Sequence, residues 1–135
     1  METKNKKVTL NRRIAQFAFE KVNEVDERSG SDYKSYAKSL PSMILNNGLG
    51  NAIAFEYSKK SKDKNVGAHD LLLEHILEFS SRFLKIGINN DDPESFFDNL
   101  LKVDNKIYQY YTEQILLFLQ WVRRFAEGKF VKEGG

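Results

Sequence analysis

The sequence has 135 residues and a mass of 15.7 kDa, the size of one ordinary domain, which argues against an enzyme working in a cleft between two modules. Apolar residues make up 41% and charged residues 30%, enough for a core with a soluble surface, and the absence of cysteine excludes disulfides, thiolate catalysis, iron–sulfur ligation and cysteine zinc sites. Formal charge is only +2, from 21 Lys and Arg against 19 Asp and Glu, so any attraction for a polyanion must come from where the charges sit.

Two prolines and eight glycines, with Leu and Phe outnumbering Val, predict an all-α chain: one single-domain bundle of about six helices over 1–135, with 1–9 and 129–135 as flexible ends. A first helix starts after Thr9, places Leu10, Ile14, Phe17, Ala18, Val22 and Val25 on one stripe, and is expected to end at Gly30. Lys21 falls inside that stripe. Either its ammonium reaches an edge, or another subunit supplies carboxylates there. Ser31 is expected to cap a second helix carrying Tyr33, Tyr36, Ala37, Leu40 and Ile44 inward, with a kink at Pro41 and a stop at Asn47-Gly48. A short third helix, about Leu49 to Lys59, turns Ala52, Ile53 and Phe55 inward. A fourth runs from Val66 to Ile86, with Leu72, Leu73, Ile76, Leu77, Phe79, Phe83 and Leu84 on one arc. Asp92-Pro93-Glu94 reads as the cap and first turn of a fifth. Asp104 caps a long final helix, Asn105 to Glu127, apolar over more than half its circumference and therefore central.

No constellation for catalysis emerges. His69 and His75, six residues apart, point to different sides of one helix and do not suit a shared metal. His69 lies in the apolar arc and is expected as a hydrogen-bonded core residue; His75 is expected nearer the surface. Gly48-Leu49-Gly50 lacks the third glycine of a dinucleotide loop, Asn89 to Asp92 lacks the closing glutamate of a calcium loop, and no serine has a base beside it. We therefore expect no enzyme, no cofactor and no metal. The longest apolar runs, such as Ile115 to Leu119, fall well short of the roughly 20 residues of a membrane span, and Asn11, Arg12 and Arg13 interrupt any leader-like start. A cytoplasmic protein without membrane contact is expected.

What remains is charge. Residues 1–13 carry Lys4, Lys6, Lys7, Arg12 and Arg13 against Glu2, whereas 89–104 carry Asp91, Asp92, Glu94, Asp98 and Asp104 against Lys102. Lys34 and Lys38 stand one helical turn apart among serines, while Arg82 has Glu78 four residues before it and is discounted. Lys34 and Lys38 with Arg12, Arg13, Lys59 and Lys60 are read as a basic face for a phosphate backbone, which Arg123 and Arg124 could join. Tyr36, Tyr110 and Trp121 could stack on bases but are better explained as core or interface residues.

The segment Tyr36-Ala37-Lys38-Ser39-Leu40-Pro41-Ser42-Met43-Ile44-Leu45-Asn46-Asn47-Gly48-Leu49, followed by Ala52, Ala54-Phe55 and Ser58-Lys59, resembles the signature of the small helical subunit of the type III-B CRISPR effector, the Cmr complex. Tyr108, Tyr111-Thr112-Glu113, Leu116-Leu117, Leu119-Gln120-Trp121 and Arg124-Phe125-Ala126 resemble that family's closing helix. The resemblance implies a non-catalytic subunit stacked in a minor filament beside guide-holding backbone subunits. Its implied partners are those subunits, the large subunit, further copies of itself, and guide and target RNA. Lys38, Lys59 and Arg124 match basic positions of the family. The rival readings are a helical protein–protein adaptor with no direct RNA contact and, more distantly, a small metal-independent nuclease.

Overall fold

The computed structural model describes residues 8–59, 67–86 and 92–131, and within them the chain forms six α-helices and no strand. α1 (Leu10–Asn23) begins where Thr9 Oγ1 accepts the Arg12 amide at 3.2 Å. It ends earlier than expected, because Asp26 and not Ser31 opens the next helix: its carboxylate accepts the Ser29 amide at 2.8 Å, and a charged acceptor at the positive end of a helix is a strong cap. α2 (Glu27–Asn47) therefore contains Gly30, whose smallness serves a close approach: a Cβ built there would lie 2.1 Å from the Phe130 ring. Pro41 withholds one amide from the ladder without ending α2.

Gly48, at φ 90°, makes the corner into α3 (Leu49–Ser58), a conformation open to glycine and strained for other residues. α4 (Ala68–Leu84) stops two residues short of the expected Ile86, because Lys85 adopts the left-handed conformation at φ 63° and the Ile86 amide turns back to the Ser80 carbonyl. Asp92 caps α5 (Pro93–Leu100) through the Ser95 amide at 3.3 Å, and Asp104 caps α6 (Asn105–Lys129) through the Ile107 amide at 3.0 Å.

α6 is central, packed against α1, α2 and α4. Phe118 on α6, Phe79 on α4 and Phe17 on α1 meet at the middle of the core, with ring centroids 4.4 to 6.2 Å apart, each such burial stabilising the fold by roughly 1.5–3 kcal/mol. Both ends of α6 are fastened. Near its start, Tyr108 Oη accepts the Gly50 amide at 2.8 Å, satisfying one of the open donors of α3. At its end, Lys129 Nζ donates to the carbonyls of Val22, Asn23 and Val25 at 3.0 to 3.3 Å, closing the open end of α1. Among the described residues no helix is long and apolar enough to cross a membrane.

Candidate nucleic-acid interface

The electrostatics of the surface start from a buried lysine. Lys21 is 8% exposed, and its ammonium meets Glu78 at 2.9 and 3.0 Å and Glu24 at 3.0 Å. The carboxylates come from this chain, so no partner subunit is needed to neutralise it. Desolvation pulls the Lys21 pKa down, but its bonds to Glu78 and Glu24 outweigh that and hold it above its ordinary value. Glu78 is thereby engaged by Lys21, and Arg82, 3.5 Å from the same carboxylate, keeps only a share of it. The sequence spacing of Arg82 from Glu78 predicts this pair, which forms, and the structure adds that its carboxylate is shared with Lys21. The buried Lys21, visible in the α1 stripe, is the signal that this carboxylate has a second claimant.

Arg82 lines a groove between α1 and α4 with Arg12, Arg13, Gln16, Glu20 and Phe83. Two of the guanidinium groups lie against its aromatic floor, Arg82 at 5.0 Å from the Phe17 centroid and Arg13 at 6.0 Å from that of Phe83. Asn11, next in the chain to Arg12, lines a second groove between α1 and α6 with Leu117, Gln120, Trp121 and Arg124. Arg12, Arg13, Arg82 and Arg124 thus flank the first turn of α1, where the helix dipole adds positive potential and no acid stands in the first turn. Among the described residues, Arg12, Arg13 and Arg124 pair with no carboxylate.

The other expected cations lie elsewhere. Lys34 is half-buried and donates to the Phe130 carbonyl at 2.6 Å, beside Lys129 at the closing end of α1. α1 spans about 20 Å at 1.5 Å per residue, so Lys34 and the arginines stand at opposite ends of that helix. Lys38 is exposed one turn further along α2, and Lys59 caps α3 with its ammonium 5.3 Å from the Phe55 centroid. Arg123 pairs with Glu127 at 3.1 Å. Lys60 lies outside the described residues, as does Asp91. The structure gathers the arginines of α1, α4 and α6 and separates them from Lys34, because an ammonium facing a helix end is used to close it.

The two histidines exchange the roles expected of them. His75 is buried at 2% exposure; its Nδ1 shares a hydrogen bond with Tyr33 Oη at 2.7 Å, and its Nε2 lies 3.7 Å from Glu24. Burial, and then the nearby Lys21 ammonium, push its pKa down to about 4, against a smaller upward pull from Glu78. His69 is the more exposed of the two. Its ring stacks on Tyr36, with centroids 3.6 Å apart, and its Nδ1 meets Glu56 at 2.8 Å. Glu56, buried on α3, shares the face of Ala52 and Ile53; burial raises its pKa, partly offset by His69.

Residues 10–129 match the family described as CRISPR-associated protein (Cas_Cmr5). A curated relative, the CRISPR system Cmr subunit Cmr5 of Thermotoga maritima, is 38% identical over 68 residues, which is 50% of this chain and 52% of the relative. The match thus spans about half the length of that relative. The crystal structure of a CRISPR-associated Cmr5 family protein from Thermus thermophilus superposes with a TM-score of 0.70 over 93% of this chain and 100% of that one, at 21% identity, a likeness of fold.

Proposed function

Because the chain belongs to the CRISPR-associated Cmr5 family, we propose that it is a non-catalytic small subunit of a type III-B RNA-silencing complex in the cytoplasm, stacking with further copies of itself beside the backbone and large subunits and holding guide–target RNA by its phosphates. The observation that carries the RNA contact is the set of guanidinium groups of Arg12, Arg13, Arg82 and Arg124 around the start of α1. Guanidinium presents a planar fork that fits phosphate oxygens. Binding of this kind is blind to sequence, which suits a particle in which guide pairing supplies specificity. Lys38 and Lys59 extend the basic surface over α2 and α3, and Lys34, Lys60 and Arg123 remain secondary contributors.

Charge reversal at Arg12 and Arg13 in the assembled complex tests the reading. Each lost phosphate contact lowers the slope of log affinity against log salt by about 0.7 to 0.9, so Arg12→Glu with Arg13→Glu is expected to weaken target-RNA binding and flatten its salt dependence by about one to two units. An unchanged slope with intact assembly favours the adaptor reading. That reading has its own support in Leu45 and Leu101, 73% and 66% exposed, which are apolar surfaces for neighbouring proteins to cover.

A further inference from the structure

The second groove contains more than a cation. Trp121 is half-buried, with its indole Nε1–H donating to Asn11 Oδ1 at 3.1 Å, and its ring stacks on Phe125 with centroids 5.7 Å apart and planes 21° from parallel. The side chain is held by a hydrogen bond across two helices and by an aromatic neighbour, yet it still lines an open groove. Phe125 is not among the residues lining that groove. Around the indole stand Arg124, exposed and without a carboxylate partner among the described residues, the exposed Gln120 amide, and Leu117.

We propose that this groove takes one unpaired nucleobase of single-stranded RNA, stacked on Trp121, with Arg124 on the adjoining phosphate and Gln120 at the base edge. The proposal rests on the RNA-contact reading and adds to it a base contact that phosphate binding does not require. The chemistry singles out a nucleotide. A bare phosphate has no use for an oriented indole, and a purely apolar segment would leave Arg124 beside it. A fixed aromatic platform with a cation at its margin is the arrangement by which single strands are held irrespective of sequence, because every base has a π-face. Orientation is prepaid by the Asn11 bond, which spares the ring its freedom on binding.

Trp121 is the single tryptophan of the chain, so its emission reports on this groove. The full chain is titrated at low salt with oligouridine and with an abasic ribose-phosphate oligomer of equal length and charge, following tryptophan emission and, separately, the anisotropy of labelled oligomers. The expected result is saturable quenching by oligouridine and none by the abasic oligomer, with the abasic oligomer binding about tenfold more weakly. Arg124→Gln should weaken both oligomers while leaving the quenching at saturation. Equal affinity for the two oligomers, or oligouridine binding seen by anisotropy without quenching, overturns the base contact and leaves phosphate binding standing. Absence of binding to either oligomer at low salt overturns both readings. Trp121→Phe keeps a stacking ring, and its anisotropy-measured affinity should stay within about threefold of the native chain, whereas Trp121→Leu should fall to the abasic level.

Discussion

Acidification provides a direct test of the buried polar network. Burial, and then the nearby Lys21 ammonium, hold His75 as a neutral ring inside the core, so the folded state resists a proton that the unfolded chain accepts freely. The folded pKa of about 4 lies below the ordinary value of 6.5, and the unfolded state therefore binds more protons throughout that window. The sign follows: stability is fully present above pH 6.5, is lost as pH falls from 6.5 towards 4, and falls no further on this account below it. About 2.5 pH units at ~1.36 kcal/mol each give a loss of about 3 kcal/mol, or about 10 °C in Tm for a chain of this length. Glu56 and Glu74, whose pKa values burial raises above 4.5, act oppositely, since their protonated forms suit the fold. Urea unfolding of the native chain and of His75→Gln at intervals from about pH 7.5 to 4 separates the contributions, because glutamine can hydrogen-bond to Tyr33 but does not titrate. The native-minus-variant difference should shrink by about 3 kcal/mol across the window. Parallel curves would refute the account and place the acid sensitivity elsewhere.

Gly30→Ala puts a Cβ 2.1 Å from the Phe130 ring and should destabilise by about 1–3 kcal/mol despite the better helix propensity of alanine; Phe130→Ala in the same chain should make the two changes non-additive in a thermal double-mutant cycle. Tyr108→Phe removes the acceptor of the Gly50 amide and should cost about 1–2 kcal/mol by urea unfolding, with the circular dichroism of the helices retained. Lys21→Met removes the cation that Glu24 and Glu78 share, leaving Glu78 only the more distant Arg82, and should cost about 1–3 kcal/mol, partly recovered by adding Glu78→Gln.

Local signals suffice where one residue settles the geometry: Thr9, Asp92 and Asp104 at helix starts, Gly48 at the corner, and the widely apolar α6 at the centre. The departures share a physical origin in distant contacts. Gly30 reads as a stop because glycine usually is one; its real reason is a ring at the far end of the chain. His75 reads as peripheral from α4 alone, but α2 supplies Tyr33 against it, and the buried arc of α4 is widened by neighbours on several sides. Glu56 shares a face with Ala52 and Ile53, and its acceptor need is met by a histidine on another helix. The arginine grouping is half legible: Arg12 and Arg13 stand together in sequence, whereas Arg82 and Arg124 join them only through the packing of α4 and α6.

The division between the two kinds of cation carries the functional argument furthest. Three lysines are engaged by oxygen atoms of the chain itself: Lys21 by two carboxylates, Lys34 by the Phe130 carbonyl, and Lys129 by three carbonyls at the end of α1. An ammonium is a compact charge with three rotatable donors, suited to closing a helix end. The guanidinium groups of Arg12, Arg13 and Arg124 engage no carboxylate among the described residues, and Arg82 holds only the share of Glu78 that Lys21 leaves. Lys21 thus acts on the surface from within the core: by occupying Glu78 it keeps Arg82 partly unneutralised beside Arg12 and Arg13. A net charge of +2 therefore understates the positive potential at one end of α1, because the cations that balance the acids of the chain are largely not the ones exposed there.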